Sequence, residues 1–225
     1  MLLISLCYNI AFSQSNFHKF AAGAGIGVNA AYADLAKKRP AQTFTANLDY
    51  RTTPFSSFGL ELQYGTLTGG DRETDPYKRY FKNDYAAISL GAKVQLGQIA
   101  DYHNSGFLYA IRGLYTGLGV GLIRNSMSDG EIVRVQPGTG HVFPGTNKSI
   151  NMVVPANAGI NFNVPDRWGY TRLIFNFNYQ FNVTFGEGLD GYNDASRGGA
   201  FSKIPDMYGV ASVGMRVCFG REGVY

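Results

Sequence analysis

Charge is what this 225-residue chain has least of: Asp, Glu, Lys and Arg together make up 16% of it, against roughly a quarter in an ordinary soluble domain. A water-facing surface dense in Lys and Glu is therefore not encoded. The formal net charge of +4 is modest, and the basic residues form no cluster of the kind that tracks a nucleic-acid backbone. Cysteine is almost missing, with only Cys7 and Cys218, so a disulfide framework or a cysteine-based metal site is excluded. Histidine is restricted to His18, His103 and His141. No run approaches the ~20 apolar residues of a spanning helix. What the chain has in quantity is glycine, 29 residues, and aromatic side chains, 14%, a composition too apolar for a disordered polymer.

Residues 1–13 read as an export signal. Leu2 to Phe12 form a short apolar stretch, and the small residues Ala11 and Ser13 place a cleavage site between Ser13 and Gln14. No Lys or Arg precedes the apolar stretch, so the start of translation is expected upstream of Met1. Leu6 stands where a lipidation signal before Cys7 requires a small residue, and lipidation is not expected. Residues 14–225 are then one domain whose only cysteine is Cys218.

Beyond residue 17 the apolar residues recur at every second position, the period of a strand with one apolar face. Phe20, Ala22, Ala24, Ile26, Val28, Ala30 and Tyr32 alternate with Lys19, Gly23, Gly25, Gly27 and Asn29. Phe44 to Tyr50 face away from Thr45 to Arg51, Phe58 to Tyr64 away from Gly59 to Gly65, and Ile88 to Leu96 away from Ser89 to Gln95. A fifth segment, Phe107 to Arg124, changes phase in its middle; a β-bulge near Arg112 and Gly113 restores one apolar face and turns Arg112 inward. Ile150 to Val164, Leu173 to Phe185 and Met207 to Phe219 complete a count of eight strands, each of about the ~10 residues that a tilted membrane strand needs.

Alternation alone does not say which face meets water. Three features favour an apolar exterior. The polar face is built from Gly, Ser, Thr, Asn and Gln with isolated charges, as suits a narrow packed interior. Aromatic residues gather toward the strand ends, with Tyr32, Phe44, Tyr64, Tyr85 and Phe185 near one rim and Phe20, Tyr50, Phe58, Trp168, Tyr170 and Phe219 near the other, like the two interfacial girdles of a membrane barrel. Connections alternate between short ones, near Thr53 to Ser57, Gly97 to Ser105 and Pro165 to Gly169, and long ones, near Ala33 to Gln42, Leu67 to Asp84, Asn125 to Ser149 and Gly186 to Asp206. The expectation is an all-β, eight-stranded antiparallel up-and-down transmembrane barrel in a bacterial outer membrane, with short periplasmic turns and long outer loops; a secreted soluble sandwich is the competing reading.

Eight strands leave an interior that side chains just fill. The charges predicted to lie inside are Lys19, Asp49, Arg51, Glu61, Lys93, Arg112, Arg172 and Arg216. They are read as an ion-paired structural cluster, since a charge buried without a partner is costly.

The chain resembles the small OmpA/OmpX-like outer-membrane barrels, and more narrowly the exported small barrels of Bacteroidetes. The resemblance is carried by Phe12-Ser13-Gln14, by Gly23-Ala24-Gly25-Ile26-Gly27-Val28, by Phe58-Gly59-Leu60-Glu61-Leu62-Gln63-Tyr64-Gly65 running into Thr68-Gly69-Gly70-Asp71, and by Gly117-Leu118-Gly119-Val120-Gly121. Some barrels of this look are accessory subunits of type IX protein secretion, which implies a structural or accessory role in an envelope complex.

No catalytic set, cofactor motif or metal motif is expected. A lipid A or peptide hydrolase needs a histidine with a serine or acid at the outer rim, and only His141, in a Pro- and Gly-rich loop, is placed for it. Asp71, Glu73 and Asp75 open like a calcium loop, but Pro76 and Lys82 occupy the positions of the turn glycine and distal glutamate. The segment Glu187 to Asp194 has oxygen ligands without that order. Loop cations Lys37, Lys38, Arg39, Arg72, Lys78, Arg79 and Lys82 make outer-membrane lipid and lipopolysaccharide phosphate the expected partners, along with other envelope proteins. A small pore or uptake barrel is the second functional reading.

Overall fold

Strand-forming alternation is carried through to a closed sheet. A computed structural model describes residues 17–32, 38–75, 77–102, 105–186, 188–192 and 206–223; the expected export signal lies outside them. Eight long strands make the wall: β1 (Phe17–Tyr32), β2 (Ala41–Thr53), β3 (Ser56–Gly70), β4 (Tyr80–Gln95), β5 (Leu114–Ser126), β6 (Lys148–Pro165), β7 (Thr171–Phe185) and β8 (Met207–Gly223). Each pairs antiparallel with its successor, and β1 pairs with β8 along almost its whole length, from Phe17↔Gly223 to Tyr32↔Met207. A two-residue strand, Lys38–Arg39, adds to the outer end of β3. Closure leaves no free edge in the wall, the condition for a sheet to stand in hydrocarbon. Among the described residues no helix is long and apolar enough to cross a membrane.

The strands run 13 to 18 residues, longer than the ~9–11 needed to cross a bilayer, so they project beyond it. Their outward rows are apolar and open: Ile26, Phe44, Leu90, Leu118, Phe177 and Val213 are 45% exposed or more, whereas the inward Asn125, Asn182 and Thr184 are at 0–1%. Such a surface is stable only against lipid, and the molecule is a transmembrane β-barrel.

The fifth strand differs from its predicted course. Residues 106–111 form a short helix, α1 (Gly106–Ile111), capped by Ser105, whose Oγ accepts from the Leu108 amide at 3.4 Å. The strand starts only at Leu114, so no bulge is needed to reset its phase. Arg112 consequently does not turn into the barrel. Its guanidinium lies 3.6 Å over the Tyr109 ring and donates to the Tyr109 carbonyl at 2.7 Å. The connection between β4 and β5 thus spans 96–113, far longer than expected, while β2 and β3 are joined by Pro54 and Phe55 alone. A real irregularity sits in β1, between His18 and Phe20.

Candidate functional site

The barrel interior is the chemically richest region, and it is layered along the axis. At the turn end, Asp49, Arg51 and Arg216 are 3–5% exposed and Glu61 8%. Arg216 Nε stands 3.3 Å from Asp49 Oδ2, and Lys93 Nζ 3.5 Å from Glu61 Oε2. Arg51 donates to the Pro54 carbonyl at 2.8 Å and approaches Cys218 Sγ at 3.7 Å, with its guanidinium over the Phe17 ring. Glycines opposite these groups provide the room. A Cβ on Gly23 would meet Arg216 Cγ at 2.6 Å, and one on Gly59 would run into the Asp49 carboxylate.

From Glu61 the charged layer passes into a middle layer of amides and hydroxyls. Glu61 accepts from Asn47 at 2.9 Å and from Gln63 at 2.8 Å, and Gln63 donates onward to Gln180, which donates to Asn182, both at 2.9 Å. Tyr115 donates to Asn178 at 2.8 Å and accepts from Asn176 at 2.9 Å. Asn29 donates to Thr43 at 2.6 Å, and Thr43 shares a hydrogen bond with the Tyr85 hydroxyl at 2.9 Å. Two cavities of ≈ 10 Å³ each lie among the charged groups, with room for about one water apiece.

Above this layer the loop end is closed by an apolar plug. Leu67, Phe81, Tyr85, Ile123, Val153 and Tyr208 point inward from the wall and meet Met127, Ile132, Phe143, Leu189 and Tyr192 from the outer loops. Tyr192 donates to the carbonyls of Tyr80 and Val133 at 3.1 and 2.9 Å, while the guanidinium groups of Arg79 and Arg134 lie 5.6 and 5.8 Å from its ring centre. Burial pushes its phenol up to about 12.

Of the predicted interior charges, the structure brings Asp49, Arg51, Glu61, Lys93 and Arg216 together. Three stand elsewhere. Lys19 is half-buried at the β1 irregularity, Arg112 stacks on Tyr109, and Arg172 pairs with Asp166 at 3.0 Å in the β6–β7 turn. Of the predicted rim aromatics, Phe44, Tyr64, Phe185, Phe20, Tyr50, Phe58, Trp168 and Phe219 are 39–82% exposed, and Tyr32 and Tyr170 partly so. Tyr85 is a correction: at 1% exposure it is inside the plug, because its odd position shares the face of Asn83 and Ser89. The plug itself escaped the sequence reading, although a signal exists. Leu67, Phe81, Ile123 and Val153 are apolar residues on the polar parity, all toward the loop end of their strands.

The expected loop chemistry is largely occupied. Asp71 accepts from the Glu73 amide at 3.0 Å and pairs with Arg39 at 2.7 Å, and Asp75 accepts from the amides of Tyr77 and Arg79. These carboxylates shape their loop, and among the described residues none groups into a metal site. Asp190 caps the Tyr192 amide at 3.0 Å, while residues 187, 193 and 194 fall outside the description. Lys82 pairs with Glu131, Arg72 donates to the Gly130 carbonyl at 2.6 Å, and Arg79 is 6% exposed; Lys78 is exposed, whereas Lys37 and the Lys38 side chain lie outside the description. His141 is exposed with its ring 5.2 Å from that of Phe143, and His18 is buried with Nδ1 3.3 Å from the Gly220 carbonyl.

Solved structures of similar architecture include Neisserial surface protein A, at 14% identity over 89% of this chain and 97% of that one, with a TM-score of 0.49. The attachment invasion locus protein Ail of Yersinia pestis follows at 13% identity, 90% and 99% coverage and a TM-score of 0.47. A third is the translocator domain of the autotransporter NalP from Neisseria meningitidis, at 10% identity, 97% and 94% coverage and a TM-score of 0.41. No family model and no curated protein matches the chain.

Proposed function

We propose that this barrel, resident in the bacterial outer membrane, serves a structural or accessory-subunit role in an envelope complex, with protein secretion the process to which its sequence resemblance points. The observation that carries the reading is the filled interior: ion pairs at the turn end, an amide ladder in the middle and an apolar plug at the loop end. A molecule so closed offers its surfaces rather than its lumen. The interior ion pairs hold the barrel's cross-section, the rim aromatics seat it at the two interfaces, and lipopolysaccharide phosphate at the basic outer loops is its lipid partner.

The test is extraction of the tagged protein from native outer membranes in mild detergent, followed by native sizing and mass spectrometry of what remains bound. A defined stoichiometric complex is expected, and a lone barrel overturns the accessory role. In planar bilayers the purified protein is expected to show no steady conductance across a range of salts. A stable open level would replace this reading with the pore.

A further inference from the structure

Among the described residues, the most exposed large apolar side chains are not on the lipid-facing wall. They are Trp168 at 82%, Ile99 at 80% and Phe107 at 70%, and all lie in two connections at the turn end. One is the 96–113 segment between β4 and β5, the other the 166–170 turn between β6 and β7, and β5 lies beside β6. The described parts of both connections are held by specific contacts. The first is closed on itself by the Gly97 amide on the Arg112 carbonyl and tied to the wall by the Asn161 amide on the Gly113 carbonyl, each at 2.9 Å. Tyr102 packs edge-on against Phe55 with ring centres 5.4 Å apart, and Arg112 covers Tyr109. The second is wound around Asp166, whose Oδ1 accepts from the amides of Trp168 and Tyr170 at 2.9 and 3.0 Å.

Ordered segments that present apolar side chains outward need something to cover them. Here the cover is continuous with an interface already on the page. The lipid-facing rows end at Leu114, Phe162 and Val164, 48%, 47% and 41% exposed, and both connections depart directly from these strand ends. The six residues of α1 extend only ~9 Å at 1.5 Å per residue, short enough to be accommodated within the headgroup and upper acyl region that amphipathic helices occupy. Arg112 and the exposed Arg167 stand in the same two connections, cations suited to lipid phosphate.

We propose that residues 96–102 and 105–113 of the β4–β5 connection and the Trp168 turn form a membrane-interface foot, which inserts Ile99, Phe107 and Trp168 into the phospholipid leaflet at the turn end and sets Arg112 and Arg167 at phosphate level. The foot fixes the depth and tilt of the barrel, independently of what its interior or loops do.

Trp168 is the only tryptophan in the chain, so its fluorescence reports one place. The folded protein is reconstituted into phosphatidylethanolamine and phosphatidylglycerol vesicles carrying lipid brominated either just below the headgroup or at mid-chain. The same is done with the double substitution Trp168→Phe, Phe107→Trp, and with Trp168→Phe, Ile99→Trp as a second probe should the first not fold; the faster gel migration of unheated barrels confirms folding. Each tryptophan is expected to lose most of its emission to the shallow bromolipid, less to the mid-chain one, and little to aqueous iodide. Iodide quenching as strong as for free indole, with no bromolipid effect at position 107 or 99, overturns the foot and leaves that surface open to water and to a periplasmic protein. Quenching by bromolipid at Trp168 alone also overturns it, reducing Trp168 to an ordinary rim aromatic.

Discussion

At the scale of single residues, the interior depends on compensation. Asp49 and Arg216 are both almost inaccessible, and each is tolerable there because the other is 3.3 Å away. Asp49→Ala leaves Arg216 buried beside Arg51 and Lys93 with one acid fewer, and breaking such a pair costs ~3–5 kcal/mol. The expected outcome is a markedly lower denaturant midpoint for the folded barrel in detergent, read by gel migration, with most of the loss recovered when Arg216→Met is added to remove the stranded charge. Asn178 carries a related lesson. It lies on the polar face of β7, where it accepts from Tyr115 and donates to Asn157 at 3.1 Å. Asn178→Ala is therefore expected to cost ~1–3 kcal/mol, the price of an unsatisfied buried donor, rather than nothing.

At the scale of elements, the strands were legible and the connections were not. β7 shows why the strands were: Phe175, Phe177, Tyr179, Phe181 and Val183 alternate with Asn176, Asn178, Gln180 and Asn182, and a one-residue slip would put every one of these amides into lipid. Residues 106–111 show the opposite. Six residues are too few to separate a period of two from one of 3.6, so a capped helix read as a strand and Arg112 was placed inside. The pairing of charges was likewise out of reach, since it depends on which residues share a level, and the plug comes from loops that follow no period. The β6–β7 turn is an element whose electrostatics can be tested directly. Desolvation draws the Asp166 carboxyl upward, but Arg172 and the amides of Tyr170 and Trp168 outweigh it and hold the group below the ordinary aspartate value. A carboxyl lowered on folding stabilises the fold above its unfolded value, and that contribution disappears as the pH falls through the folded one. Stability of the wild type is therefore expected to decline across the acid range below pH ~4, and Asp166→Asn to remove that part of the slope. Parallel pH profiles of the denaturant midpoint check it; coincident slopes would show that the turn carries no such linkage.

At the scale of the whole molecule, the argument rests on which face of the closed sheet meets lipid. Two independent lines agree. The inner face links polar side chains to one another in a connected ladder from Glu61 through Gln63 and Gln180 to Asn182, which an outer face bathed in water would not need. The outer face leaves Phe177 53% exposed with Val213 and Ile160 as its strand-pair neighbours, which water would not tolerate as a wall running around the whole barrel. Phe177 sits near the middle of β7, so its side chain is expected close to the bilayer midplane. Phe177→Arg should then destabilise the inserted barrel by ~2–4 kcal/mol, whereas the same substitution at Phe185, at the loop-end rim, should cost ~0–1 kcal/mol because the long side chain reaches the headgroups. Equilibrium unfolding in lipid vesicles measures both. The difference between the two sites is the decisive quantity: a barrel turned polar side out would bury both phenylalanines and have no lipid depth axis, so an arginine would be costly at either position.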